Sequence, residues 1–199
     1  MEDKNPRRHI SFYWINAITL YRLLATVLLV YLALNDRLDL FKWLLAFSYF
    51  TDMIDGTLAR KFKVASVLGS RLDSVADDLT VLVSIIGIFI FKRDFLEENI
   101  WVISILFVFY LVQMGTALLK YHKLTSFHTK SAKFSFLLQG CFLILIFFLP
   151  QPPMWLFYAA VVSTSIQLTE ETIMIFLIPK WRSDVKGLYW VLKEKKKDS

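Results

Sequence analysis

Cysteine and histidine are nearly absent: the 199 residues include one Cys, Cys141, and three His. A lone thiol closes no intramolecular disulfide and completes no CxxC pair, so a disulfide scaffold and a thiolate metal site are both excluded. Charge is scarce as well. Asp, Glu, Lys and Arg make up 20% of the chain, below the roughly 25% of an ordinary soluble domain, and a disordered chain needs high charge with low hydrophobicity. With six Gly and five Pro, no stretch reads as a flexible linker. No internal repeat or composition shift divides the chain, and residues 1–199 are read as one domain. What fills the space is apolar: 56% hydrophobic and 16% aromatic residues, with mean hydropathy +0.51. That excess of Leu, Ile, Phe and Val needs a bilayer as its solvent.

Six apolar runs stand out, at Ile15–Leu34, Leu40–Arg60, Ser66–Phe91, Ile100–Leu119, Ala132–Leu149 and Met154–Ile178. Each approaches or exceeds the roughly 17–25 residues that a helix needs to cross a hydrocarbon core. Pro6, Pro150, Pro152, Pro153 and Pro179 fall outside the runs or at their ends, where a missing N–H does no harm. Trp14, Trp43, Trp101, Trp155 and Trp181 lie near run ends, as expected of an interfacial belt. The first run is too long for a signal-peptide core and contains Arg22, so it is read as retained. The expected fold is all-α: an integral membrane bundle of six transmembrane helices with a short interfacial N-terminal segment.

The net charge of +6 at first admits nucleic acid as a partner. Its placement argues otherwise. Of 23 Lys and Arg, 17 fall at the N-terminus, in the second-to-third and fourth-to-fifth connections and at the C-terminus. The opposite side holds four, Arg37, Lys42, Lys92 and Arg93, mixed with acidic residues, and two more, Arg22 and Arg71, interrupt apolar runs. By the positive-inside rule both termini and the two basic connections face the cytoplasm. The surplus is therefore a topology signal, with anionic lipid attraction for the Lys193–Lys197 tail as a second contribution, and no nucleic-acid partner is expected.

An ionised carboxylate at the middle of a spanning helix costs at least about 2.5–3.5 kcal/mol, so intramembrane Asp is a functional hypothesis by default. Asp52 and Asp55 are three apart near the end of the second run; Asp73 and Asp77 are four apart near the start of the third, followed by Asp78. Those spacings put each pair on one helix side. Asp52 and Asp73 each lie about two turns, roughly 12 Å, from the short basic connection, so an antiparallel pair of helices brings four carboxylates to one depth. Such a cluster either takes up protons or holds hard divalent cations, for which an oxygen-only donor set suits Mg²⁺, Mn²⁺ or Ca²⁺. Two metals could clamp a diphosphate. Gly56 and Gly69 remove side chains where a ligand must approach, Ala59 keeps the next turn small, and Arg60 offers a fork for phosphate oxygens. The plainer readings are polar glue between spanning helices, or a proton or cation path in a small transporter.

Asp52-x-x-Asp55-Gly56-x-x-Ala59-Arg60, eight residues, then Gly69-x-x-x-Asp73-x-x-x-Asp77 resembles the full signature of the CDP-alcohol phosphotransferases. Eight specified residues at roughly one in fifteen each put a chance match below about 10⁻⁹ per starting point, which outweighs the plainer readings. Asn16-x-x-Thr19-x-x-Arg22 is similar to a pattern at the start of the first span in bacterial members. The resemblance implies a phosphotransferase of phospholipid biosynthesis in the bacterial cytoplasmic membrane, active on its cytoplasmic side and homodimeric. It would move a phosphatidyl group from CDP-diacylglycerol to the hydroxyl of a polar alcohol and release CMP. It implies further that Asp52, Asp55, Asp73 and Asp77 hold two Mg²⁺ or Mn²⁺ ions, and that Asp77 also serves as general base. Arg60 would hold the diphosphate, while Gly56, Ala59 and Gly69 make room for the cytidine nucleotide. Asp78 lies outside the signature and is read as structural.

For the acceptor, the fourth-to-fifth connection offers Lys120, Lys123, His128, Lys130 and Lys133, cations suited to an alcohol that itself carries phosphate; Arg22 could assist. Glycerol 3-phosphate is the first expectation and inositol phosphate the nearest competitor, because only Ser131-Ala132-Lys133 stands where phosphatidylglycerophosphate synthases carry a Gly-Lys-x-Lys-Thr-like segment. His122 and His128 have no Cys or carboxylate near them in sequence and read as loop residues. Glu170 and Glu171 sit among Gln167, Thr169 and Thr172 in a locally polar stretch, with Arg71 or a loop lysine as a conceivable partner and no assigned role.

Overall fold

In a computed structural model of the chain, residues 6–62, 67–123, 127, 129–182 and 185–196 are described, the side chains of 6–19, 52–62, 67–75, 77, 78 and 195 excepted. Among the described residues there are seven helices and no strand: α1 (Pro6–Leu34), α2 (Leu38–Phe62), α3 (Val67–Phe91), α4 (Arg93–Tyr121), α5 (Lys130–Phe148), α6 (Met154–Leu177) and α7 (Leu188–Lys195). Each of the six apolar runs lies on a helix. Three of these, α4, α5 and α6, are long and apolar enough to cross a membrane among the described residues, and Leu20–Leu34 and Leu79–Phe91 are shorter apolar helical stretches.

The N-terminal segment ahead of the first apolar run forms the first turns of α1, which runs unbroken from Pro6. Proline is favoured at a helix start, where its absent N–H would have no partner anyway, and neither Gly nor Pro follows it within the helix. A further helix that the apolar runs do not mark, α7, occupies Leu188–Lys195.

The chain divides into two compact units, Met1–Leu96 and Glu97–Ser199. In the first, α1 packs on both α2 and α3, which also touch each other. Its interior mixes polar residues with apolar ones such as Leu29, Phe41 and Leu45. Arg22, Thr26, Ser48, Thr80 and Ser84 are buried together with Ala25, Ala33 and Ala76, while Leu24, Val27, Tyr31, Phe47 and Phe89 are exposed. Small and hydroxyl residues let spanning helices approach closely, and large apolar side chains face lipid. The hydroxyls remain satisfied within their own helices: Ser48 donates to the Leu44 carbonyl, Thr80 to Ala76 and Ser84 to Thr80. The α1–α2 turn is closed by the Arg37 N–H on the Leu32 carbonyl at 2.9 Å, with Asp36 at φ 54°, a left-handed position that Asp tolerates.

In the second unit α5 packs on α6 and α6 on α7. Pro150, Pro152 and Pro153 separate α5 from α6, as the sequence suggests. Ala117, Phe127, Met174, Ile175, Ile178 and Val191 form its buried apolar cluster. Lys120 and Tyr121, at the end of α4, reach the last turn of α6. The Lys120 ammonium donates to the Ile175 and Phe176 carbonyls at 2.8 and 3.2 Å, and the Tyr121 hydroxyl lies 3.0 and 2.7 Å from those of Ile175 and Ile178. A cation at a helix C-terminus complements the carbonyls left without intrahelical partners there.

Candidate active site on the second and third helices

The side chains of Asp52, Asp55, Asp73 and Asp77, and of Arg60 and Ala59, lie outside the described residues, as does residue 128 entirely. The helices that carry the signature are described, and their buried stripes fix its register. On α2 the buried stripe is Phe41, Leu45 and Ser48. At about 100° per residue, positions 52, 55, 56 and 59 fall within about 60° of the middle of that stripe and position 60 about 90° from it. On α3 the buried stripe is Ala76, Thr80, Val83 and Ser84. Positions 69 and 73 continue it, position 77 aligns with Ser84 seven residues on, and position 78 falls on the opposite side, by the same advance of about 100° per residue. By spacing alone, the signature positions other than 60 share the register of the buried stripes on their two helices, and position 78 does not.

The Tyr49 hydroxyl and the Ser84 hydroxyl, 3.2 Å apart, tie α2 to α3, one turn before position 52 and two turns after position 77. A spanning helix packed along such a seam normally fills it with small residues. Four carboxylates at those positions would make a concentration of negative charge that cations or protons offset. An oxygen-only donor set of this kind fits hard divalent ions. Among the described residues, no group of three or more His, Cys, Asp or Glu could hold a metal ion. Arg22 is buried in the same three-helix unit, at 1% exposure, and its carbonyl accepts the Thr26 hydroxyl at 2.9 Å.

The other cationic acceptor candidates, Lys120, Lys123, Lys130 and Lys133, sit in the second unit. Lys120 is engaged at the α6 terminus as described above. The Lys123 ammonium lies 5.4 Å from the Trp181 ring centroid and that of Lys130 5.1 Å from the Trp190 ring centroid. Lys133 is exposed on the first turn of α5.

Reading the sequence missed what Glu170 and Glu171 do. Glu171 is buried and accepts the amide N–H groups of Gln113, at 2.9 Å, and Gln167, at 3.1 Å. Glu170 accepts the Ser131 hydroxyl and the Leu188 backbone N–H, the latter at 2.8 Å. The Ser131 hydroxyl proton goes to Glu170, so the Thr129 hydroxyl, 2.8 Å away, donates to Ser131. Thr129 in turn accepts the Ala132 N–H at 3.0 Å as the N-cap of α5. One carboxylate on α6 thus holds the starts of both α5 and α7. A cleft of about 460 Å³ along α6, lined by Ser165, Ile166, Thr169, Glu170, Ile173 and Leu188, is mainly apolar among the described residues, with Glu170 already engaged and the Ser165 and Thr169 hydroxyls donating to the Val161 and Ser165 carbonyls.

Helical fold and apolar composition together define a helical integral membrane protein. Comparison with known proteins supplies the family: the profile of the CDP-alcohol phosphatidyltransferases matches residues 13–166. The chain belongs to the CDP-alcohol phosphatidyltransferase family, a family of membrane phosphotransferases of phospholipid biosynthesis. Over 74 residues it is 36% identical to a cardiolipin synthase (CMP-forming) / mitochondrial hydrolase fusion protein of Schizosaccharomyces pombe, covering 37% of this chain and 12% of that one. Over 75 residues it is 35% identical to the CDP-diacylglycerol–inositol 3-phosphatidyltransferase of Saccharomyces cerevisiae, covering 38% of this chain and 34% of that one. The chain thus spans about a third or less of the length of these relatives. No solved structure matches it significantly.

Proposed function

We propose that this chain transfers a phosphatidyl group from CDP-diacylglycerol to the hydroxyl of a polar, phosphorylated alcohol and releases CMP. The observation that supports the reading is the family match over residues 13–166, which contains the whole signature from Asp52 to Asp77. In this reading Asp52, Asp55, Asp73 and Asp77 hold two Mg²⁺ or Mn²⁺ ions, which when bound neutralise the diphosphate as its charge develops. Arg60 holds a phosphate oxygen. Gly56, Ala59 and Gly69 keep the seam open for the cytidine nucleotide, and Asp77 takes the proton of the acceptor hydroxyl as it attacks phosphorus. A membrane-borne donor can enter sideways, with its acyl chains in lipid and its head at the depth of the carboxylates.

The same reading takes the chain as one domain with six spans, a homodimer, both termini and the site facing the cytoplasm of a bacterial cell. Glycerol 3-phosphate is its first acceptor and inositol phosphate its alternative. Arg22, Lys120, Lys123, His128, Lys130 and Lys133 are the candidate contacts to the acceptor phosphate. The inositol named for the yeast relative adds a third compound to test. The experiment incubates detergent-purified protein with CDP-diacylglycerol, Mg²⁺ or Mn²⁺ and each acceptor, and measures CMP. Release with a single acceptor names the substrate. Release with none, together with ion flux in liposomes, overturns the reading in favour of a transporter.

A further inference from the structure

The short helix α7 has two unlike sides. Leu188 and Val191, three apart, face inward, and Val191 joins the buried cluster with Met174, Ile175 and Ile178. Tyr189, Leu192, Lys193 and Lys196 follow at i, i+3, i+4 and i+7, the spacing of a single helix face, and all four are exposed. Lys186, just before the helix, is exposed too. The acidic group nearest in sequence, Glu194, is paired with Arg182 at 2.8 Å, which leaves this face with a cationic surplus. Its orientation is fixed at its start, where Glu170 accepts the Leu188 N–H and Gly187 takes φ 144°. Only ten residues, 178–187, separate the end of α6, a candidate membrane span, from the start of α7. They include the exposed Trp181, a residue suited to the membrane–water boundary.

We infer that α7 is an interfacial helix whose Tyr189–Leu192–Lys193–Lys196 face rests on the anionic lipid headgroups of the membrane that holds α6. Tyr189 and Leu192 supply apolar surface to the headgroup boundary, and Lys186, Lys193 and Lys196 supply the charge complement. A short amphipathic helix with so little apolar area needs electrostatic attraction to stay at the interface. Lysines near an anionic surface each contribute about 1 kcal/mol of binding, or roughly fivefold per lysine, so docking follows the anionic fraction of the bilayer. The inference is independent of the reaction proposed above.

The test places a nitroxide at position 192 (Leu192→Cys in a Cys141→Ser background) in the full chain, reconstituted in phosphatidylcholine vesicles with or without about a third phosphatidylglycerol. Accessibility to aqueous nickel chelate and to oxygen is then measured. The expected result is at least about a twofold fall in nickel accessibility in the anionic vesicles, reversed by high salt. Joint Lys186→Gln, Lys193→Gln and Lys196→Gln substitution abolishes that fall, and the salt and lipid comparisons stand without this variant. Equal nickel accessibility in both vesicle types overturns the inference, as does protection that ignores lipid charge. Spin–spin broadening that disappears on dilution with unlabelled protein also overturns it, since the face would then join two copies of the chain.

Discussion

Acidic residues interrupt apolar helices in both units, with different surroundings. In the second, each glutamate of the α6 pair has a side-chain donor: Gln113 and Gln167 for Glu171, Ser131 for Glu170. In the first, the described hydroxyls of Ser48, Thr51, Thr80 and Ser84 donate to carbonyls of their own helices, and the four signature aspartates lie on the same two helices. An acidic residue answered by amides is part of the packing. The family signature lies on α2 and α3 and not on α6, and in the reading proposed above its aspartates hold ions.

The strongest way to break that comparison is to neutralise one member of each set. Asp77→Asn should lower CMP release by about 10²–10⁴-fold, the range for loss of a general base, while the thermal unfolding midpoint in detergent changes little. Removing divalent ions with a chelator should have a similar effect and be reversed by Mg²⁺ or Mn²⁺. Full activity in Asp77→Asn would remove that residue from the chemistry. For the second unit, Glu171→Leu leaves the Gln113 and Gln167 amides without this acceptor, at a cost of about 1–3 kcal/mol by general experience of buried polar groups and nearer about 0.6–1.7 kcal/mol inside membranes. Glu171→Gln should recover most of it. Loss of CMP release in Glu171→Leu at unchanged stability would erase the distinction between the units.

How much of this was legible beforehand depends on the kind of force involved. The six apolar runs mark helix interiors closely: Met154–Ile178 against α6 at Met154–Leu177, and Ser66–Phe91 against α3 at Val67–Phe91. They miss the polar ends of α1 and α4, which begin at Pro6 and Arg93, not Ile15 and Ile100. Hydropathy reports what can sit in hydrocarbon, whereas the i→i−4 ladder continues into the interface until a Gly, Pro or cap stops it. The spacing of the acidic signature was readable because it is periodic within single helices. Glu170 was not, because its partners Ser131 and Leu188 lie 39 and 18 residues away and only tertiary packing brings them together. Nor was α7, whose eight residues are too few to show a period.

A smaller effect sharpens the picture of the second unit. Gly187 has φ 144° and ψ 170°, a region almost confined to glycine, and a Cβ there would meet the Glu170 Oε1 atom at 2.9 Å. Gly187→Ala should therefore destabilise the docking of α7 by about 1–3 kcal/mol without touching the first unit. Hydrogen exchange of the amides of residues 188–192 should accelerate, while CMP release per folded molecule stays the same. Unchanged exchange would mean that the start of α7 can relax around a side chain.

The smallest effect tests whether Thr129, Ser131 and Glu170 act as one chain of hydrogen bonds. Ser131→Ala removes the link between the α5 cap and the α6 carboxylate, while Thr129 still accepts the Ala132 N–H; its cost should be about 0.5–1.5 kcal/mol. Glu170→Gln keeps the shape but replaces one carboxylate oxygen by an amide donor, so it should weaken the links to Ser131 and Leu188 together. Because both substitutions interrupt the same bond, the double variant should lose less than the two single variants combined, by at least about 0.5 kcal/mol, as neighbours in one network do. Thermal or denaturant unfolding of the four proteins in the same detergent measures that difference. Additive losses would mean that Ser131 serves α5 alone and that Glu170 holds only α7, which would reduce the junction of the second unit to two independent caps.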